Sequence, residues 1–511
     1  MKRMSKKEQQ GWGRWVVFAV VIVVLAVLCT IGVSMMKHNA PRSGVTSVQS
    51  DTTFVVGLTD HPSSLDIRTN TQSSVEQALL ANVYETLTRR DNNNALVPGL
   101  AKEWEVSGDG LKYTFKLNDN MRFATGRDLN SSDVVWSLQQ IITNHWQGAD
   151  ALSCIKSVDN PDELTVVVTL NEPNAGLLRS LSGRAGIVYN SAQTDIDYAV
   201  SASGSGPFVV ESYTNNTIVL MRNSRYWSRP AQASQITLRY FDNETALVDA
   251  VSNDEVNMAL PTRASSIEEA ANNPTFNVTT GVSAQQIIVG FNNQSKSILS
   301  DEQVRKAARY AIDTAAIAQT MPDAYSALGG PIGPLEPGYQ DLTGLFPHDP
   351  AKSRQMLGFF NAGYVGTVDF LVPPRYQELG TMITQQLQEG GWSVNMEVLD
   401  VGLLQSRVDE GDYDMALMQL TGQYTYRQFA NADSVFHYTN KQAQDEYAAA
   451  MHSVDMKTLN EHLSAFARTV SEDAASAWLY TRKDFVISKA RLSGYPTNMT
   501  ATYLPLADLR R

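Results

Sequence analysis

Residues 98–117 read Pro98-Gly99-Leu100-Ala101-Lys102-Glu103-Trp104-Glu105-Val106-Ser107-Gly108-Asp109-Gly110-Leu111-Lys112-Tyr113-Thr114-Phe115-Lys116-Leu117. Pro98 and Gly99 set a turn, and Trp104 and Phe115 are large apolar anchors. Tyr113 to Leu117 alternates as a half-buried strand, and a glycine-containing turn leads to a helix that begins near Ser131 or Ser132 with Asp133 in its first turn. Outward from there, Thr53–Leu58, Thr165–Leu170 and Ile236–Tyr240 read as strands, while Ser74 to Thr88 carries Val75, Ala78, Leu79, Val83 and Leu87 at helical spacing. The later half predicts a strand at Gln286–Phe291, a helix at Asp301–Thr314, a strand at Thr367–Val372, a helix at Tyr376–Gly390 and a strand at Ser393–Val398. That rhythm implies βαβ units and a largely parallel sheet in an α/β protein.

A chain of 511 residues is too long for one hydrophobic core, so two or three lobes are expected. With 43% hydrophobic and 18% charged residues it has the composition of a folded globular protein. A net charge of −12 argues against nucleic acid or an anionic lipid surface as the main partner of the folded part. Two cysteines, Cys29 and Cys154, offer no disulfide framework, and Cys154 is expected to be a small buried hydrophobe.

The N-terminus carries a different signal. Lys2, Arg3, Lys6, Lys7 and Arg14 precede an uncharged stretch from Val16 to Met36, with Trp12 and Trp15 at its edge. At about 1.5 Å per residue this stretch covers roughly 30 Å, the thickness of a bilayer core. Residues 1–15 are therefore expected to be a cytoplasmic basic tail, 16–36 a transmembrane anchor or signal segment, and 37–51 a small, polar linker (Pro41, Ser43, Gly44, Thr46) that precedes an extracellular body. Ala26-Val27-Leu28 before Cys29 makes a poor lipidation signal, and the apolar run exceeds the usual signal-peptide core. Anchoring in the cell membrane by a single pass is the favoured expectation, with cleavage near His38-Asn39-Ala40 as the alternative.

No catalytic constellation is legible. The seven histidines are too scattered for a metal site, Gly204-Ser205-Gly206 is too short for a nucleophile elbow, and no phosphate-cradling loop is present. The expectation is a protein that is not an enzyme, with no cofactor and no metal.

Several phrases together carry a family resemblance: Leu65-Asp66, Val83-Tyr84-Glu85-Thr86-Leu87, the stretch quoted above, and Asp133-Val134-Val135-Trp136-Ser137-Leu138. Gly204-Ser205-Gly206-Pro207-Phe208 follows, then Met221-Arg222-Asn223-Ser224-Arg225-Tyr226-Trp227 and Val289-Gly290-Phe291-Asn292-Asn293. The series closes with Tyr310-Ala311-Ile312-Asp313, Asp349-Pro350-Ala351-Lys352-Ser353, Ala362-Gly363-Tyr364 and Tyr413-Asp414-Met415. From about Thr53 to Thr481 the chain resembles the family 5 extracellular solute-binding proteins. Read as residues, most of these words serve folding; Gly204, Gly206 and Pro207, for example, mark a tight backbone passage.

The resemblance implies a two-lobed periplasmic-binding-protein-like clamshell of type II, cluster C. Lobe I would span 52–290 with an extra subdomain at about 100–205, lobe II 291–470, and 471–511 would return to lobe I. It further implies a monomeric receptor that delivers oligopeptides or dipeptides to ABC permease and ATPase subunits by lobe closure. A non-peptide solute (nickel complex, sugar, opine) and a sensory binding module remain as alternatives. In peptide-binding relatives an acidic residue shortly after the Tyr-Asp-Met strand pairs with the peptide amino terminus; here that stretch reads Gln419-Leu420-Thr421-Gly422-Gln423, with an amide in the carboxylate's place. The candidate ligand-binding residues are Gln423, Tyr424, Tyr426 and Arg427, together with Ser63 and Ser64 in the loop after the first strand. Gly329-Gly330-Pro331-Ile332-Gly333-Pro334 resembles a passage where backbone nears the ligand.

Overall fold

The computed structural model describes residues 52–193, 195–360, 365–421, 425–498 and 503–511. The expected tail, apolar segment and linker over 1–51 lie outside the described residues, as do Gln423, Tyr424 and the Ala362-Gly363-Tyr364 phrase. No helix among the described residues is long and apolar enough to cross a membrane.

The chain opens with β1 (Thr53–Leu58), whose alternate residues Phe54, Val56 and Leu58 are buried. A short hairpin follows, β2 (Thr88–Arg90) with β3 (Leu96–Pro98). Strands β4 (Ala101–Val106), β5 (Lys112–Leu117), β6 (Ile155–Asp162) and β7 (Thr165–Leu170) form a four-stranded antiparallel sheet in the order β4-β5-β7-β6. Trp104 and Phe115 face each other in its register, and Tyr113, Phe115 and Leu117 are fully buried. Burial of one such aromatic contributes about 1.5–3 kcal/mol relative to exposure. The helix Ser131–Thr143 crosses this sheet; Asn130 caps it and Asp133 reaches back to the Asn130 amide, which satisfies two of its otherwise orphaned donors.

The remaining strands are β8 (Phe208–Tyr213), β9 (Thr217–Arg222), β10 (Gln235–Tyr240), β11 (Met258–Ala259), β12 (Phe276–Phe291), β13 (Ala324–Ala327), β14 (Thr367–Val372), β15 (Ser393–Val398), β16 (Met415–Leu420) and β17 (Ser476–Lys489). With β1 they make one eleven-stranded sheet in the order β15-β14-β16-β12-β17-β11-β1-β10-β9-β8, β13 pairing β17. The sheet is mixed, which corrects the expectation of a largely parallel one. Only β1/β10, β1/β11, β14/β15 and β14/β16 are parallel. The β8-β9-β10 meander and the β12/β17 ribbon run antiparallel, because tight turns and long-range returns join them rather than helical crossovers.

β12 and β17 form the spine of the molecule. The expected strand at Gln286–Phe291 is the second half of a sixteen-residue strand that begins at Phe276. In that second half both faces are covered: Ile287, Val289 and Phe291 belong to a core with Val304, Phe370 and Ile383, while Ile288 joins a separate core with Trp478, Phe429 and Phe466. The first half pairs with the end of β17 beside a third core built on Val251, Ile487 and Phe485. A still larger core gathers β1, the four-stranded sheet and the β8-β9-β10 meander. Separate cores thus pack against different parts of one ribbon.

The helical spacing over Ser74–Thr88 is interrupted. The helix covers Ser73–Leu79, and Ala81 turns at φ 63°. Asn82 is drawn away by the C-terminal segment, its amide donating to the Leu504 carbonyl at 2.9 Å and accepting from the Leu506 amide at 2.9 Å. The Val83 carbonyl then accepts from the Gly206 amide, and a Cβ at Gly204 would stand 2.1 Å from the same oxygen. The tight passage read from Gly204-Ser205-Gly206 is thus a close backbone crossing. Its neighbour Glu85 is buried and accepts from Ser205 Oγ, Tyr226 Oη and Trp227 Nε1, each at 2.8 Å.

Candidate functional site

At the middle of the β12/β17 ribbon the register shifts between Val282/Lys483 and Gln286/Thr481, so that Ser283, Ala284 and Gln285 oppose the single residue Arg482. This bulge interrupts the ladder and bends the ribbon, as bulges beside binding sites often do. A cavity of about 580 Å³ opens at that point. Its walls are the carboxyl end of β1 (Leu58, Thr59, Asp60), the helix Ser73–Leu79, residues 148–151 and 179–185, the segment after β11 (Leu260, Pro261, Thr262), the bulge, Thr421, and Arg482 to Phe485. The volume lies within the range of small-ligand clefts, and a cleft between two cores is where such sites occur.

Arg482 organises one wall. Its Nε donates to Asp323 Oδ2 at 2.9 Å, its Nη1 to the Gln285 side chain and its Nη2 to the Thr262 carbonyl, while Tyr480 Oη donates to Asp323 Oδ1 at 3.0 Å. The pair is nearly sealed from solvent, with side-chain exposures of 3% and 10%. Burial together with the neighbouring Asp323 carboxylate raises the Tyr480 hydroxyl far above its ordinary range, so it stays a donor. The Thr262 carbonyl also accepts from Arg375 Nη2 at 2.8 Å, which ties the loop after β11 to the segment after β14 across the cleft.

A second cavity of about 300 Å³ lies behind the first and shares Ala151, Arg179 and Ser180 with it. Tyr426 and Arg427 line this one, with Cys154, Glu172, Tyr447 and His452. Tyr426 is buried in an aromatic cluster, edge-on to Tyr447 and tilted against Phe466, and Arg427 is exposed. Ser63 and Ser64 line neither cavity: Ser63 Oγ donates to Gln72 at 2.6 Å and Ser64 Oγ to the Ala199 carbonyl at 3.4 Å. Asp60, three residues before Ser63, does reach the larger cavity. In the Gly329–Pro334 passage, Gly333 and Pro334 border a void of about 10 Å³ next to Ser283 and Ala284, and the Gly329 carbonyl is held by Arg309 and Ser471. Cys154 is a free, half-buried thiol beside Asn174 rather than a fully buried apolar group, because it stands on a cavity wall.

Sequence reading passed over Arg90, Arg179, Arg184, Glu336 and the bulge. Their burial depends on contacts between segments more than a hundred residues apart, such as the bond from Asn94 Nδ2 to the Leu335 carbonyl at 2.7 Å. Among the described residues no group of histidine, cysteine and carboxylate side chains could hold a metal ion.

Residues 95–443 match the family model of the bacterial extracellular solute-binding proteins, family 5 Middle. The chain is 26% identical over 388 residues to heme-binding protein A of Haemophilus influenzae, covering 70% of each chain. It is 26% identical over 405 residues to di/tripeptide-binding protein 4 of Pseudomonas aeruginosa, covering 72% of this chain and 76% of that one. Among solved structures, the periplasmic binding protein DppA from Helicobacter pylori in complex with the peptide STSA superposes with a TM-score of 0.73 at 20% identity, over 91% of this chain and 99% of that one. That likeness shows a shared two-lobed solute-binding fold.

Proposed function

Because the chain belongs to the bacterial extracellular solute-binding proteins, family 5, and so serves as a substrate-binding component of an ABC transporter, we propose that it is the extracellular receptor of an importer for oligopeptides or dipeptides. The observation that carries this reading is the cavity at the ribbon bulge. Ser283 to Gln285 stand outside the β12/β17 ladder on its wall, where main-chain groups can pair with an extended ligand. A di/tripeptide-binding relative matched over most of both chains supports the same ligand class.

In this reading the boundaries at 290 and 470 divide the lobes, and the ribbon carries the hinge. Lobe closure around the peptide forms the surface read by the permease, the ATPase subunits supply the energy, and the receptor works as a monomer. Residues 16–36 anchor it in the cell membrane, with the body outside.

Calorimetry with a mixed di- and tripeptide library tests the proposal. One-to-one saturable binding is expected, with a smaller radius of gyration by small-angle scattering. If native mass spectrometry instead finds a retained non-peptide solute and no peptide binds, the ligand belongs to the non-peptide alternatives.

A further inference from the structure

We propose that His452 and Glu172 form a proton-operated latch between the four-stranded sheet and the helix pair Lys441–Met451 and Met456–Glu472, shut when both ring nitrogens of His452 carry hydrogen. The inference goes beyond ligand binding, and it rests on the receptor reading only in assigning the two sides of the contact to different lobes.

Glu172 opens the segment Glu172-Pro173-Asn174-Ala175, which follows β7. The sheet holds its own side of that segment, because Tyr113 Oη donates to the Asn174 carbonyl at 2.8 Å. The other side is a plug. Ala175 is only 3% exposed and belongs to the core that contains Ile288, Tyr426 and Phe466, not to the core of its sheet. Its amide donates to the Ser453 carbonyl at 2.9 Å. Gly110, at φ 69° in the turn between β4 and β5, closes over the same place: a Cβ there would stand 3.0 Å from both Val454 Cγ1 and Pro173 Cβ. The contact therefore combines a small apolar plug, a main-chain hydrogen bond and the His452–Glu172 pair.

His452 caps the C-terminus of the helix Lys441–Met451. Its Nδ1 lies 2.7 Å from the Ala448 carbonyl and its Nε2 lies 2.9 Å from Glu172 Oε2. A carbonyl and an ionised carboxylate only accept, whereas a neutral imidazole has a single N–H to offer. Both contacts are satisfied by the imidazolium alone, a cation that the carbonyl end of a helix also favours. Loss of the proton sets a bare nitrogen lone pair against one of the two oxygens. The Ala448 carbonyl is fixed one turn back in the same helix, where it also accepts from the His452 amide at 3.1 Å, so the contact free to separate is the one to Glu172.

Glu172 is the charged group that faces the ring. The other titratable or charged groups on the walls of the adjoining 300 Å³ cavity are Asp150, Cys154, Arg179, Arg427, Tyr426 and Tyr447, and Asp109 lies in the Gly110 turn. The His452 and Glu172 side chains are 49% and 59% exposed, so the proton exchanges with solvent and salt screens the pair. The Ala448 carbonyl first, and Glu172 second, raise the histidine pKa above 6.5. The latch is thus fully shut below about 6.5 and releases as pH rises through the raised value.

The test is hydrogen exchange of the full chain without ligand, read at the Ala175 amide and corrected for the intrinsic effect of pH, with amides of the β5/β7 ladder as internal reference. Relative to that ladder, wild type is expected to lose about threefold of its Ala175 protection between about pH 5.5 and about pH 8.5, and less in about 1 M salt. His452→Gln and Glu172→Gln are expected to show the lower protection at both pH values. A plug held by packing alone responds to neither pH nor salt. A flat wild-type profile, or a pH response that survives in folded His452→Gln, overturns the latch; if one variant misfolds, the wild-type profile and the other variant decide. Because no ligand is present, that failure leaves the receptor reading standing. Conversely, a pH-dependent Ala175 amide in a protein that binds no member of the di- and tripeptide library removes the peptide reading and keeps the latch.

Discussion

Glu85 and Trp227 stand 142 residues apart in the chain and meet at 2.8 Å, indole N–H to carboxylate, in a buried node that also collects Ser205 and Tyr226. Three phrases that are separate words in the sequence (Tyr84-Glu85-Thr86, Gly204-Ser205-Gly206 and Tyr226-Trp227) are thus one structural object. Burial pushes the Glu85 carboxyl up, and the three donors pull it back. Removing the acceptor leaves three buried donors unsatisfied. Glu85→Ala is expected to destabilise the protein by roughly 3–5 kcal/mol and Glu85→Gln by about 1–2 kcal/mol in urea unfolding. Equal midpoints for Glu85→Ala and wild type would show that the node does not hold the fold.

His452 Nε2 lies 2.9 Å from Glu172 Oε2, beside the amide of Ala175, which donates to the Ser453 carbonyl. The Ala448 carbonyl at the other ring nitrogen and the Glu172 carboxylate raise the His452 pKa above its ordinary 6.5. A raised histidine pKa means that the folded state binds the proton more tightly, so the stabilisation is complete below about 6.5 and is lost as pH rises through the folded value. In an NMR titration Glu172→Gln should move the His452 pKa downward. An unchanged value would mean that the contact is not formed in solution.

The anchor proposal rests on the uncharged Val16–Met36 stretch and on the bulky Leu28 next to Cys29. Cys29→Ser is expected to leave both the mature mass and membrane association unchanged, as read by intact mass spectrometry and membrane fractionation. A lipid-sized mass on the wild type, lost in the variant, would replace the anchor with lipidation.

The sequence by itself determined the α/β class and most element positions, because side-chain periodicity is a local property. β1, β5, β7, β10, β14 and β15 stand where alternation placed them, within a residue or two. The Asp301–Thr314 segment shows how local capping also reads out: Asp301 caps the helix Glu302–Ala311, and Asp313 caps a second helix, Thr314–Thr320. Strand direction, the length of β12 and the end of the helix at Leu79 were decided by tertiary structure alone, since each depends on partners far along the chain, as Asn82 does on Leu504 and Leu506. The candidate site divides the same way. Tyr426 and Arg427 were legible as neighbours of a recognisable strand, whereas Arg179 reads in sequence as one polar residue among leucines. Only the fold brings Asn94 and the 331–337 loop against it, and burial without a partner is a property of that packing, not of the residue.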